Sequence, residues 1–267
     1  MAKLGLISLL IFIVAVAMTM VGKGGGNFYV VILTLASLPI HQAAAIGQLI
    51  LFSASLSALL IFNQGKSLSW KLGIFVGGFM ALAAFAGGYL SHAFSGFTLK
   101  LVFSAMLLIA GGIMLIPPQD QKGPADQNQP GMIRIKSGAS IYTIKLWIAL
   151  PVILATGFVS GMVGVSGGSF LVPLLVLSCA VPMHIAVGTA SAVITATSLM
   201  GFIGHTLQGD FNPGWGLPLA LVAVMGGTLG GRFSLKTKPA NLKRLFAYTN
   251  WAAALFMLYN ALHTQFS

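Results

Sequence analysis

The chain has 267 residues, 57% of them hydrophobic and only 6% charged, and 14 Lys and Arg against 3 acidic residues give a formal charge of +11. Soluble domains carry about 25% charged residues, so this composition excludes a water-soluble enzyme. It also removes the nucleic-acid reading that a strongly basic balance would otherwise invite.

Apolar runs long enough to cross a bilayer recur at Leu4–Val21, Ala43–Phe62, Leu72–Leu90, Leu99–Ile116, Ile144–Val163, Ile185–His205, Trp215–Gly231 and Leu242–Leu262. The first begins just after Lys3 and has the look of a signal peptide, but its counterpart ending at Val163 lies deep inside the chain, so it is expected to be retained. After it comes Gly22-Lys23-Gly24-Gly25-Gly26-Asn27-Phe28. Glycines there weaken the helix and bring bare backbone close to anything that binds. Asn27 is a favoured N-cap, so a new short helix is expected to start there and to end at the turn proline Pro39. A helix of about a dozen residues covers roughly 18 Å of a core about 30 Å thick, so it should return to the face it came from. The polar stretch Pro117–Ser140 reads as a linker. Beyond Val163 the pattern repeats: Gly164-Val165-Ser166-Gly167-Gly168-Ser169-Phe170, with Ser169 as the expected N-cap, then the turn proline Pro182. Cys179, the single cysteine, lies in an apolar run and reads as a packing residue.

The repeat is in register. Position 164 minus 22 is 142, and after a one-residue slip Pro182, Gly230 and Leu242 face Pro39, Gly87 and Leu99 at an offset of 143. Residues 1–116 are therefore one repeat and 141–267 the other, each a broken-helix re-entrant hairpin plus three transmembrane helices in an all-α polytopic membrane protein. Charge sets the orientation. With an odd number of crossings per half, Lys66, Lys71, Lys122, Arg134, Lys136, Lys145, Arg232, Lys236, Lys238, Lys243 and Arg244 share one side, and only Lys3 and Lys100 lie opposite. The positive-inside rule then makes the repeats inverted, the linker cytoplasmic and both termini outside. Small residues at four-residue spacing, Gly73 and Gly77, Ala84 and Gly88, Gly226 and Gly230, Gly227 and Gly231, are expected to let helices pack closely. The same faces are compatible with a homodimer.

Catalytic and metal chemistry find little support. Asp120 and Asp126 fall in the linker and Asp210 in the loop between Leu207 and Asn212, which leaves no carboxylate relay at membrane depth. No two histidines are three or four residues apart. His41 and His184 are repeat-related turn or capping positions, while His92, His205 and His263 sit at helix ends and are expected at the interface. Gly164-Val165-Ser166-Gly167-Gly168 imitates a nucleophile elbow, but Ser166 has no buried acid and its repeat partner is Gly24. The chain is expected not to be an enzyme and to need neither a cofactor nor a metal.

Anion binding fits better. Two short-helix N-termini would bring positive dipole ends and free glycine amides to mid-membrane from opposite faces. The candidate residues are Lys23, Gly24, Gly25, Gly26 and Asn27 in the first break and Ser166, Gly167, Gly168 and Ser169 in the second, with Gln48, Thr189 and Ser191 completing the site from the following helices. Lys23 has two readings, a charge in the site or a side chain that snorkels to the outer interface.

Gly157-Phe158-Val159-Ser160-Gly161-Met162-Val163-Gly164-Val165-Ser166-Gly167-Gly168-Ser169-Phe170-Leu171-Val172-Pro173, with Pro182, Ala186 and Gly188-Thr189-Ala190-Ser191, resembles the sulfite exporter TauE/SafE family, and the first half carries a weaker copy. The resemblance implies a permease of the bacterial inner membrane that exports sulfite, organosulfonates or related anions. Two departures stand out: Lys23 occupies a position expected to be small or apolar, and Val31 stands where the second half has Pro173. The alternatives are a membrane-embedded accessory or assembly subunit without transport, and an anion channel.

Overall fold

The computed structural model describes residues 2–93, 132–137, 140–179 and 181–266, together with isolated positions between 95 and 115. Most of the expected span Leu99–Ile116, and linker residues 117–131, lie outside the described residues. The fold is built of helices: α1 (Ala2–Met20), α2 (Gly26–Leu35), α3 (Ile40–Gln64), α4 (Trp70–Tyr89), α5 (Leu146–Val163), α6 (Gly168–Pro173), α7 (Met183–Leu207), α8 (Pro213–Lys236) and α9 (Pro239–Phe266). Helices α3, α4, α7 and α8 have 25, 20, 25 and 24 residues and are apolar enough to cross a bilayer. One feature lies outside the helical expectation: β1 (Met132–Ser137) pairs antiparallel with β2 (Ser140–Lys145), so a hairpin straddles the expected boundary between linker and second repeat.

Close approaches fix how the helices run. Gly226 and Gly230 of α8 lie on Phe12–Ala15 and Val16–Thr19 of α1, and Gly227 and Gly231 lie on Ala54 and Ala58 of α3, so α1, α3 and α8 are mutually parallel. Gly157 and Gly161 of α5 lie on Met80 and Ala84 of α4, and Gly77 and Gly88 of α4 on Val193 and Gly201 of α7, which makes α4, α5 and α7 parallel as well. A Cβ at Gly88, Gly226, Gly227 or Gly230 would press on a backbone oxygen of the neighbouring helix, which bears out the close-packing role of these residues; Gly73 and Gly77 make only ordinary contacts, and Gly87 and Gly161, outside the expected set, are as tightly packed.

The two sets oppose each other. Gln48 meets Gly201, Ser55 meets Thr195, and Phe62 meets Gly188, so positions fall along α7 as they rise along α3. Repeat-equivalent helices thus cross antiparallel. The packing pairs also survive an exchange of the halves: α4 packs on α7 and α5, and correspondingly α8 packs on α3 and α1. Because α1 and α3 run the same way, α2 must climb back between them, and α6 does the same between α5 and α7.

The two returning helices differ. Gly26–Leu35 is regular α-helix, whereas Gly168–Pro173 passes into a π-helical stretch at Leu174–Ser178. Pro173 has no N–H and its ring crowds the carbonyl four residues back, which widens the turn. Val31, at the equivalent place, imposes no such change. Around this frame Leu82 and Leu221 are 70% and 71% exposed, as suits side chains facing lipid.

Candidate functional site

The two glycine breaks meet. Gly22 (φ 73°) and Gly164 (φ 75°) both adopt the left-handed conformation that ends α1 and α5, and each lies against one residue of the opposite half, Val187 and Ala44. These two contact residues are themselves repeat-equivalent. Beyond the turns, a Cβ at Gly26 would lie 2.8 Å from Ser166 N, and one at Gly168 would lie 2.6 Å from Gly22 O. Only glycine at both places lets one break rest on the other.

Capping differs from the sequence expectation. Gly25 (φ 92°) is the N-cap of α2, and Gly167 that of α6. Asn27 and Ser169 sit one residue inside the first turn, and their side chains do other work. Asn27 Oδ1 accepts a hydrogen bond from Ser166 N at 3.4 Å, across the two breaks. Ser166 Oγ accepts from Gly168 N at 3.1 Å. Ser169 is fully buried and its hydroxyl has no partner among the described residues, and the same is true of the Tyr29 hydroxyl beside Gly25.

The backbone is also left open. Residues 21–27 and 161–169 are buried, yet the amides of Gly24, Gly25, Gly26, Asn27, Gly167 and Ser169 have no hydrogen-bond partner among the described residues. A buried unpaired N–H costs about 1–3 kcal/mol, and native proteins hold few of them. Six in one contact region make a group of donors with no internal acceptor. At the N-terminus of α2 they add to the positive end of a helix dipole.

Lys23 follows neither of its two sequence readings. Its side chain is 3% exposed and turns away from the breaks to α9, where Nζ donates to Phe246 O at 2.8 Å and to Thr249 Oγ1 at 2.7 Å and lies 4.2 Å over the Phe246 ring. Among the described residues no carboxylate pairs with it. The amine is held by neutral acceptors and a ring face.

Of the three helix residues expected to complete the site, Gln48 comes nearest. It is fully buried on α3; Nε2 donates to Ser160 O at 2.9 Å and Oε1 has no partner among the described residues. Its neighbour Gly47 touches Val30 of α2 and Gly164 O. Thr189 is elsewhere: its hydroxyl accepts from Ser69 N at 3.1 Å at the turn between α3 and α4. Ser191 bonds back to Val187 O within its own helix. What the sequence reading missed are apolar covers. Leu51 and Ile194 lie on Gly24, Ile194 also lies on Gly168, and Met80 Cε lies on Gly167. Behind the second break, Met80, Val152, Ile153, Thr156, Phe170, Leu171 and Leu174 line a crevice too narrow to hold a water molecule. Nothing in a bare sequence distinguishes such covers from ordinary core.

His205 lies in the last turn of α7 and Asp210 in the loop that follows, as expected. His205 is fully buried and Asp210 is 9% exposed, and the two side chains meet each other.

The comparisons with known proteins agree with this architecture. The family model for the sulfite exporter TauE/SafE matches residues 7–257. The chain is 28% identical over 235 residues to the probable membrane transporter protein YunE of Bacillus subtilis, covering 82% of this chain and 84% of that one. It is 26% identical over 255 residues to the probable membrane transporter protein YdhB of the same organism, covering 95% and 100%. Against the probable membrane transporter protein MJ0441 of Methanocaldococcus jannaschii it is 24% identical over 262 residues, covering 92% of each. No solved structure matches. The chain belongs to the sulfite exporter TauE/SafE family and is a multi-pass membrane transporter, not an enzyme.

Proposed function

We propose that this transporter exports a small sulfur oxyanion, sulfite or an organosulfonate, across the bacterial inner membrane, with the anion held where the two glycine breaks meet. One observation carries the reading: six buried backbone amides without an internal acceptor, gathered from both halves of the chain. Oxyanions present several acceptors around one centre and suit such a donor group.

The antiparallel crossing of α3 and α7 supports inverted repeats, and eleven of the loop cations fall on one side in that topology. Those cations mark the cytoplasmic face, which leaves both termini outside. An inside-negative potential contributes about 2.3 kcal/mol per charge per 100 mV toward anion exit. Export then needs no coupling ion.

The test is binding to the purified protein in detergent, with sulfite, sulfate, thiosulfate, sulfoacetate and chloride compared at equal ionic strength. Sulfite or sulfoacetate should bind at least about tenfold more tightly than chloride, a difference of 1.4 kcal/mol. Equal affinity for all five would remove the substrate assignment.

A further inference from the structure

Tyr29 stands in the first turn of α2, just beyond the first break. Side chains on a helix lean toward its N-terminus, and Tyr29 does so over its own N-cap. A Cβ at Gly25 would lie 2.9 Å from both Cζ and Oη of Tyr29. The bare Cα of Gly25, held at φ 92°, is therefore what leaves room for the phenol end. The side chain is fully buried, and Oη has no hydrogen-bond partner among the described residues. Phe would fill the same space without stranding a polar group, and a hydroxyl buried unpaired costs stability.

The neighbouring backbone decides what this hydroxyl can pair with. The turn that Tyr29 covers carries the open amides of Gly24, Gly25, Gly26 and Asn27. Those groups only donate. The phenol oxygen could accept from one of them, yet no such bond is made. A phenol also keeps its proton at neutral pH and donates it to an acceptor. Amides and hydroxyl together thus form a donor set around one helix N-terminus, and an ionised acceptor makes the stronger bond to each.

The geometry points to the Tyr29 hydroxyl as a side-chain donor to the transported anion and a determinant of its specificity, an assignment that rests on the reading that the breaks hold an anion. The amides of a first turn project along the helix axis, whereas the phenol comes in from beside it. The two kinds of donor therefore serve different atoms of a ligand. Chloride offers a single acceptor centre and a sulfur oxyanion several, so Tyr29 favours the oxyanion. Gly26 and Gly168 are equivalent in the repeat, which pairs Tyr29 with Leu171, an apolar residue that is 2% exposed. This donor comes from the first half alone.

The test is calorimetric titration of the detergent-purified wild type and Tyr29→Phe with sulfite and, separately, with chloride. Sulfite should bind about tenfold more weakly to the variant, the scale of one hydrogen bond to a charged group, and chloride should change less. The melting temperature of the ligand-free variant should hold or rise, because the stranded hydroxyl is gone. A hydroxyl with a purely structural role would instead lower that temperature and leave the ratio of sulfite to chloride affinity alone. Equal sulfite affinity in the two proteins overturns the assignment of Tyr29 and leaves the anion site standing. Folded wild type that binds no sulfite removes both. Should Tyr29→Phe fail to purify as monodisperse protein, fluorotyrosine introduced at position 29, which keeps the hydroxyl, decides. A fluorine resonance that moves on sulfite addition supports the contact, and one that stays in place contradicts it.

Discussion

The first and second glycine breaks share a backbone and differ in their side chains. Gly22 and Gly164 turn alike and rest on equivalent residues, and Gly26 and Gly168 each touch the other break. The first break carries Lys23, tied to α9 through Phe246 O and Thr249; its counterpart Val165 is fully buried and apolar. Asn27 reaches across to Ser166 N, while its counterpart Ser169 leaves a buried hydroxyl without a partner. The first break is therefore stapled to its surroundings by side chains. The second leaves the Ser169 hydroxyl open, while four of the six open amides belong to the first, so a ligand should take contacts from both.

Substitutions at the shared glycines should have the largest effect, and equally in both breaks. Gly164→Ala combines a left-handed residue, which costs about 1–2 kcal/mol, with a Cβ placed on the Ala44 backbone. Overpacking of that kind costs about 1–3 kcal/mol. Loss of most monodisperse protein is expected on gel filtration, and Gly22→Ala should match it against Val187.

Lys23→Met comes next and acts on one break alone. Exchanging a buried charge for an apolar chain is often neutral or stabilising, so the melting temperature should hold or rise. Anion affinity should fall, since an anion bound at the breaks favours the protonated amine and is attracted to it. Unchanged affinity would mean that Lys23 serves only to dock α9.

The pair Asn27→Ala and Ser169→Ala sharpens the comparison further. Asn27→Ala strands the Ser166 N–H and should destabilise the apo protein by about 1–3 kcal/mol. Ser169→Ala removes a hydroxyl that has no partner, so apo stability should not drop, while anion affinity should weaken by about 0.5–1.5 kcal/mol. Thr249→Val is the smallest case: one hydrogen bond to Lys23 is lost, Phe246 O remains, and a few degrees in melting temperature is the expected scale.

The glycine pair, the common offset and the returning helices were legible because each rests on local backbone chemistry or on an exact repeat. The destination of Lys23 was not, since its partners lie more than two hundred positions away on α9 and local pattern carries no trace of them. Thr189 shows the opposite failure. It sits in the quoted motif Gly188-Thr189-Ala190-Ser191 and reads as a ligand, yet it caps the turn at Ser69. The meeting of His41, His92, His205 and Asp210 escaped because they come from four separate elements, so spacing along the chain cannot reveal it.

The central claim, that an anion crosses where the breaks meet, is tested most directly by uptake of radiolabelled sulfite into proteoliposomes under an imposed membrane potential. The account predicts uptake that follows the sign of the potential, exceeds that of chloride, and is lost in Gly168→Val, whose side chain would strike Gly22 O and Ile194. Folded wild-type protein giving no flux above protein-free vesicles, or flux that ignores the potential and follows a proton gradient instead, would contradict it.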